Sequence, residues 1–276
     1  MSIDAAAYDS IALERVADDR VLRIDLDRPG RHNILDLELI AELNDAVSRA
    51  DTAPDVNGII FGSTSDDVFC AGADVGELSG LDAEESSRFL STYNDTVDLF
   101  WSTGKPVVAA VSGDCVAGGN ELVMGCDLIV AGDSSRFGQP EATVGSTAAG
   151  GGVQMMPLMV GMQRAKDLLL TGRLLSASEA EEWGLINRVV PDEAVDERAV
   201  ELVTEIVNGK SPYAYRVMKA IFKHWYNDAM AAREIEREVT AAVWTDEEFR
   251  ERAAAFLEGE GLDPRDFSGT TGSVED

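Results

Sequence analysis

Residues 111–122 read VSGDCVAGGNEL, and this stretch indicates both the fold class and the kind of site. The apolar run 106–111 that leads into it is typical of a buried strand. The turn at 117–119 then opens a helix that is predicted over 120–125. The start of a helix presents free backbone N–H groups, which stabilise a negative charge. The stretch therefore predicts a strand, a turn and a helix, with an anion site at the turn.

A second stretch, residues 137–141, reads FGQPE and ends on a glutamate. Two carboxylates held near one water molecule can share acid and base work. With Glu121 and Glu141 as that pair, the two stretches suggest that water is added to, or removed from, an acyl thioester. Each feature alone also fits a simpler interpretation. Glu121 is then an acid favoured at a helix start, Glu141 a surface loop acid, and 117–119 a tight packing turn.

Predicted strands alternate with predicted helices along the first part of the chain. Strands are indicated at 21–26, 58–61, 106–111 and 128–131, and helices at 37–47 and 81–101. This alternation predicts an α/β fold. The pattern alone does not distinguish a doubly wound sheet from a coiled ββα superhelix.

From about residue 192 onward the sequence becomes almost wholly helical. A capping box at 176–179 starts a helix through Trp183 shortly before this change. The chain is therefore divided into a core that carries the site (1–192), a C-terminal helical region (193–262) and a tail (263–276). The tail is rich in Gly, Ser, Thr and Asp and is predicted to be flexible.

Four further segments occur in the order and spacing of one known family. They are FCAGAD at 69–74, KPVVAAVSG at 105–113, LTGR at 170–173 and AEEWGLINRVV at 180–190. Together with the two stretches above, they resemble the crotonase (enoyl-CoA hydratase/isomerase) superfamily over about residues 21–257. The resemblance implies a crotonase-type superhelix of ββα turns. It also implies that the C-terminal helices assemble trimers, which often pair into hexamers.

The resemblance assigns roles to four residues. It implies that the amides of Ala73 and Gly118 hold the thioester oxygen, and that Glu121 and Glu141 are the catalytic glutamates. The implied activity is that of an enoyl-CoA hydratase, a hydro-lyase that adds water across the 2,3 double bond of a trans-2-enoyl-CoA to give a 3-hydroxyacyl-CoA. Such a reaction belongs to fatty-acid metabolism, including β-oxidation, or to related acyl-CoA metabolism.

Two other kinds of function remain open. Isomerases of the family commonly keep only the second of the two glutamates, so the presence of both favours a hydratase over an isomerase or another crotonase reaction. A non-catalytic CoA-binding relative is the alternative from a different class, and the departures described next are what suggest it.

The resemblance also implies where the CoA portion of the substrate binds. The implied contacts are Arg31, Ala71, Ala73, Asp74, Val75, Gly76 and Gly118. Arg31 fits a phosphate contact or a solvated turn residue. Gly76 stands where many relatives carry a lysine, and Ala117 replaces a common glycine, which is a mild change. Ala149 stands where a glycine usually lines the pocket, and its methyl group is expected to narrow the pocket or shift the water.

The chain carries a formal net charge of −28, from 51 acidic and 23 basic residues, and only five of the basic ones are lysines. Such a charge repels itself in dilute salt. At about 1 M salt the Debye length is about 3 Å and the repulsion is largely screened. Because the acidic residues are spread along the whole chain, the composition predicts a protein from a halophile, with an ordinary acidic protein as the alternative. The charge also opposes nucleic-acid binding.

The sequence contains no run of 18 apolar residues and no N-terminal signal peptide, which predicts a cytoplasmic protein without a membrane partner. Cys70, Cys115 and Cys126 lack metal-binding spacing and are expected to be reduced, packed thiols. Nucleotide-binding motifs are absent, and the two histidines lie far apart. No metal or redox cofactor is expected, and CoA arrives as part of the substrate.

Overall fold

The computed structural model describes residues 8–231 and 233–260, so the predicted flexible tail at 263–276 lies outside the described residues. The strands are β1 Ile11–Val16, β2 Val21–Leu26, β3 Gly58–Ser63, β4 Val68–Cys70, β5 Val107–Val111, β6 Asp114–Val116, β7 Leu128–Gly132, β8 Arg136–Gly138, β9 Leu174–Ser176 and β10 Arg188–Val190. The helices are α1 Leu37–Thr52, α2 Val75–Leu78, α3 Ala83–Ser102, α4 Gly118–Met124, α5 Gly152–Val160, α6 Met162–Thr171, α7 Ala177–Trp183, α8 Val195–Gly209, α9 Pro212–Met230, α10 Arg233–Thr245 and α11 Glu247–Leu257.

Successive turns of the chain place one strand in each of two sheets. The larger sheet has the order β1-β2-β3-β5-β7-β10, and the smaller has the order β4-β6-β8-β9. The consecutive pairs β3 and β4, β5 and β6, and β7 and β8 are each split between the sheets, and within each sheet these successive strands run parallel. The α/β prediction is confirmed, and the topology is the ββα superhelix rather than the doubly wound sheet.

The helix predicted over 120–125 begins two residues earlier than expected, at Gly118, and ends at Met124. This correction matters because Gly118 becomes the first residue of the helix, where its N–H has no acceptor inside the helix. The helix predicted over 81–101 begins at Ala83, because Asp82 and Glu85 form a capping box at its start. The capping box predicted at Ser176 and Glu179 is confirmed at the start of α7.

Aromatic residues from both sheets and α3 meet in the core beneath the site. The ring of Phe61 in β3 lies 5.4 Å from that of Phe69 in β4 and 4.8 Å from that of Phe100 in α3. All three side chains are fully buried. Aromatic pairs in such geometry stabilise a fold by about 0.5–1.5 kcal/mol beyond the area they bury. This cluster fixes β4 and α3, both of which carry site residues, relative to the larger sheet.

The C-terminal helices cover two different faces of the core. Helix α8 packs on the larger sheet, where Val195 and Val203 join a buried cluster with Ile60 and Val108. Helix α10 packs on α3, and α11 packs on α2 and on the 3-10 turn Glu141–Val144. Helix α11 therefore lies against the turn that carries Glu141 and the helix that follows Ala73, while α10 lies against α3.

Helix α9 carries large apolar side chains that the described part of the chain leaves exposed. They are Tyr213, Val217, Met218, Ile221, Phe222 and Trp225, exposed by 41–81%. Exposed apolar surface of this kind fits the expected assembly of subunits, which stays a prediction. Within 8–231 and 233–260, the structure contains no helix long and apolar enough to span a membrane.

Candidate active site

Two backbone amides that the sequence predicted as oxyanion donors line one pocket. The N–H of Gly118 lies at the start of α4. Ala73 forms a parallel bridge with Leu35, but the bridge uses the carbonyl of Gly72 (2.8 Å) and the N–H of Asp74 (3.2 Å), not the N–H of Ala73. Two amides without a partner in these local structures can therefore stabilise an oxygen that gains charge in the pocket.

Gly72 allows the two donor segments to approach each other. It has φ = +91°, and a methyl group placed on it would lie 2.6 Å from the Cβ of Ala117 and 3.2 Å from the N atom of Gly118. A larger residue would thus push the strand end and the helix start apart. The close approach keeps both amides on one side of the pocket.

Ala117 has a strained backbone. Its φ is +51° and its ψ is −129°, a conformation that an L-residue with a side chain rarely adopts. Strain of this kind costs on the order of 1–3 kcal/mol and is maintained only by the surrounding structure. The replacement of the common glycine is therefore not the mild change expected from the sequence, because it falls at the residue that aims the Gly118 amide.

Glu121 is held by three donors. The side chain is 3% exposed, and its Oε1 accepts hydrogen bonds from the N–H groups of Gly150 and Gly152, both at 2.8 Å. The hydroxyl of Tyr93, from α3, lies 3.0 Å from Oε2. Burial is the largest effect and raises the pKa of Glu121 to about 7, while the three hydrogen bonds oppose this rise. The carboxyl group therefore titrates near neutral pH.

Glu141 has fewer hydrogen-bond donors than Glu121. With the side-chain amide of Gln139 oriented to satisfy its neighbours, Nε2 donates to the carbonyl of Ala117 and to Oε1 of Glu141, both at 3.0 Å. Oε2 of Glu141 is shielded from solvent and has no hydrogen-bond partner among the described residues. Burial first, and then the charge of Glu121, raises the pKa of Glu141 well above its usual range. A carboxyl group in this position holds a proton.

The pocket between these groups is predominantly apolar. Large apolar side chains of α2, α3, the 3-10 turn and the C-terminal helices contribute to its wall: Val75, Leu78, Phe89, Leu90, Val144, Trp244, Phe249 and Phe256. Trp244 is fixed by a hydrogen bond from its Nε1 to the hydroxyl of Ser146, at 2.7 Å. The wall thus contains residues from both sides of position 192. The division into a core (1–192) and a helical region (193–262) stays a prediction.

The structure separates the predicted CoA contacts into two groups. Ala71, Ala73, Val75 and Gly118 line the pocket, whereas Arg31, Asp74 and Gly76 are not part of its wall. Arg31 instead forms ion pairs with Asp36 (3.2 Å) and Asp74 (3.0 Å), and about half of its side chain is exposed. Asp74 caps α2 by accepting from the N–H of Glu77. The CoA roles of these residues stay predictions.

Ala149 lies in the pocket wall, as expected for a residue that limits the space there. Its N–H donates to the carbonyl of Thr147 at 3.0 Å, so this amide is used within its own loop.

The three cysteines are buried and form no disulfide. Burial raises the pKa of Cys70 to about 12, which fits a packed thiol and not a nucleophile.

Four groups that hold the two glutamates were not predicted from the sequence: Tyr93, Gln139 and the amides of Gly150 and Gly152. Gln139 and the glycines lie inside or next to the quoted motifs, and a search for donors to the two glutamates could have found them. Tyr93 lies 28 positions before Glu121, on a helix whose spacing suggested only a core face. No signal in one sequence links that tyrosine to the glutamate.

A family profile described as enoyl-CoA hydratase/isomerase matches residues 17–264 of the chain. The chain belongs to this family. It is 34% identical over 254 residues to a crotonyl-CoA hydratase of Syntrophomonas wolfei, with 91% of this chain and 96% of the relative covered. It is 31% identical over 250 residues to the mitochondrial enoyl-CoA hydratase of Pongo abelii, with 90% and 84% covered.

Solved structures of family members share the fold. A crystal structure of an enoyl-CoA hydratase/isomerase from Xanthobacter autotrophicus Py2 matches with a TM-score of 0.83 at 28% identity, covering 92% of this chain and 95% of that one. A carnitinyl-CoA hydratase from Mycobacterium avium matches with a TM-score of 0.80 at 30% identity, covering 93% and 98%. The crotonase-type superhelix expected from the resemblance is thus confirmed.

Proposed function

We propose that this protein is an enoyl-CoA hydratase that adds water across the 2,3 double bond of a trans-2-enoyl-CoA. The observation that carries the proposal is that one pocket holds two backbone amides and two glutamates, Glu121 buried and Glu141 half-buried, with different hydrogen-bond partners. Three donors stabilise a negative charge on Glu121, whereas among the described residues one side-chain donor reaches Glu141 and its Oε2 has no partner. One carboxyl group is therefore suited to be ionised while the other is protonated.

The reaction follows from this asymmetry. Ionised Glu121 takes a proton from water as the water oxygen forms a bond to C3. The electron pair of the double bond moves toward the thioester oxygen, whose growing charge the N–H groups of Ala73 and Gly118 stabilise. Protonated Glu141 then delivers its proton to C2, and the product is a 3-hydroxyacyl-CoA. The pair returns to its starting protonation state by exchange with solvent when the product leaves.

The presence of two carboxyl groups argues for hydration over isomerisation. Moving a double bond needs one group that removes a proton from one carbon and returns it to another. Adding water needs a base for the water and an acid for C2, and the pocket offers both. A binding protein without activity would not need a glutamate fixed by three hydrogen bonds.

The apolar wall supports an acyl group without charged substituents. The exposed apolar face of α9 supports a homotrimer or hexamer, and the charge of −28 supports function in a salt-rich cytoplasm. The substrate supplies CoA, and the proposed reaction needs no metal or redox cofactor.

The proposal is tested by turnover of trans-2-enoyl-CoA thioesters of increasing chain length, followed by the loss of the enoyl absorbance. Carried out in D2O, hydration gives a 3-hydroxyacyl-CoA with one deuterium at C2. An isomerase would yield a shifted enoyl-CoA with no gain of water. A non-catalytic relative would bind the thioester and leave it unchanged.

A further inference from the structure

Tyr93 is fixed between two backbone segments of the site. Its hydroxyl oxygen lies 2.7 Å from the carbonyl oxygen of Gly118 and 3.0 Å from Oε2 of Glu121. A methyl group on Gly118 would lie 2.9 Å from that hydroxyl, and one on Gly150 would collide with the tyrosine ring. The tyrosine thus packs closely against both glycines, which keeps its hydroxyl between the two oxygens while the hydroxyl hydrogen can rotate.

That hydroxyl has one hydrogen for two neighbouring oxygens. A phenolic O–H donates once and can accept at its oxygen. When it donates to the carbonyl of Gly118, its contact with Oε2 of Glu121 needs a proton supplied by the glutamate. When Glu121 is ionised, the hydroxyl donates to Oε2 instead. Both contacts are thus hydrogen bonds at the same time only while Oε2 of Glu121 carries a proton, and ionisation of Glu121 leaves the hydroxyl to donate to Oε2 alone.

The other oxygen of Glu121 cannot carry the proton without a loss. Oε1 already accepts from the N–H groups of Gly150 and Gly152, both at 2.8 Å, and a proton there would oppose these donors. Oε2 faces Tyr93 alone among the described hydrogen bonds of this carboxyl group. The proton that Glu121 takes from water therefore ends on Oε2.

We propose that Tyr93 is a positioning residue for Glu121. The hydroxyl of Tyr93 donates a hydrogen bond to ionised Glu121, and after water has been deprotonated it accepts a hydrogen bond from the protonated Oε2 of Glu121. The proposal rests on the proposed function, in which Glu121 is the base. Tyr93 acts through Glu121 and takes no part in bond formation itself.

Other titratable groups around Glu121 also affect its pKa. Glu141 faces it across the pocket, and Glu236 of α10 raises its pKa. Glu236 is in turn partnered by Nε2 of Gln154 at 2.5 Å and lies near Arg233. The buried thiol of Cys70 lies close enough to Tyr93 to raise the pKa of its hydroxyl. Because both acidic neighbours disfavour a charge on Glu121, its hydrogen-bond donors are what keep it usable as a base near pH 7.

The test is Tyr93→Phe, which keeps the ring and removes the hydroxyl. Tyr226→Phe is the matched control, because Tyr226 packs on Trp101 (4.5 Å between ring centroids) away from the pocket. We expect Tyr93→Phe to lower kcat about tenfold or more with little change in KM, as for a lost hydrogen bond to a charged group. The acidic limb of the pH–rate profile should move up by about one pH unit, because a tenfold change corresponds to one unit. Loss of kcat with an unmoved limb would show a packing role only and overturn the proposal.

A second measurement depends neither on turnover nor on the folding of Tyr93→Phe. Infrared difference spectra of the wild type across pH report the carboxylic C=O stretch of Glu121, which Glu121→Gln identifies by its absence. We expect the frequency of a carboxyl group whose O–H donates a hydrogen bond, and the frequency of a free carboxyl group would overturn the proposal. If the wild type shows this donated hydrogen bond but does not hydrate enoyl-CoA, the proposed function fails while the contact with Tyr93 stands.

Discussion

Arg233 donates a hydrogen bond to the carbonyl oxygen of Gly150 at 3.0 Å, and Gly150 is the residue whose N–H holds Glu121. The same guanidinium group contacts Asp98 of α3. Two further contacts tie α10 to this loop: the hydroxyls of Thr240 and Thr147 lie 2.7 Å apart, and Trp244 donates to Ser146. These contacts hold the loop 146–150, which orients the proposed base Glu121, against helix α10.

Weakening the contacts between α10 and the loop 146–150 is expected to reduce turnover. Arg233→Met removes the donor to Gly150 and should lower kcat about tenfold, with KM changed less, because the loop no longer holds Glu121 in one orientation. Arg250→Met, on the exposed side of α11, is the control and should leave kcat within about twofold. Equal rates for both variants would mean that the loop keeps its shape without α10.

The oxyanion donor at Gly118 can be tested with two replacements that share a steric change. Gly118→Pro removes the N–H, and Gly118→Ala keeps it, while both place a Cβ near the hydroxyl of Tyr93 and the side chain of Leu35. Proline is tolerated at the first position of a helix, and melting curves check that the strained Ala117 before it does not prevent folding. We expect the proline variant to lose a further 10²–10³ in kcat relative to alanine, or about 3 kcal/mol in the barrier. Similar rates in two folded variants would show that this amide does not hold the thioester oxygen.

The fold was predictable from the sequence because its signals are local and ordered. The run 106–111, the stretch 117–122 and the glutamate-containing stretch 137–141 are contiguous segments, and the first two form a strand and a helix start close to the predicted positions. The start of α4 was misplaced by two residues because glycines have low helix propensity, which here is overridden by the packing of the glycines against Cys70 and Tyr93.

The parts of the site that were not predicted are formed by contacts between distant segments. The contact of Tyr93 with Glu121 and that of Arg233 with Gly150 join residues 28 and 83 positions apart. The strain at Ala117 was likewise hidden, because a sequence does not show the sign of φ. These features depend on how α3 and α10 pack, which no single segment encodes.

The pH dependence of hydration should reflect the two glutamates. Burial raises the pKa of Glu121 to about 7 and that of Glu141 well above its usual range, so activity needs a pH at which the first is ionised and the second is protonated. As pH falls through about 7, Glu121 takes up a proton and kcat/KM should fall tenfold per unit. At higher pH the loss of the Glu141 proton should lower the rate again, which gives a bell-shaped profile. A rate that stays constant from pH 5 to about pH 7 would contradict the role of Glu121 as base.

The net charge of −28 predicts a salt requirement. Because salt screens repulsion within the chain, between subunits and with the CoA phosphates, the melting temperature and substrate affinity should rise from dilute buffer to about 1 M KCl. The subunit assembly should be lost first at low salt, since association brings like charges together. Melting curves and sedimentation across a KCl series measure this, and sucrose, which does not screen charge, is the control. Equal stability and assembly in dilute buffer would remove the halophile interpretation and leave the proposed reaction untouched.

The central claim is that Glu121 and Glu141 together add one water molecule to an enoyl-CoA. The measurement that tests it most directly is the initial rate of crotonyl-CoA hydration by the wild type, Glu121→Gln and Glu141→Gln, with folding checked by melting curves. The account predicts clear hydration by the wild type and a loss of about 10² or more in each variant, the usual size of an acid–base contribution. A wild type that does not hydrate the thioester, or a folded variant that keeps nearly the full rate, would contradict it.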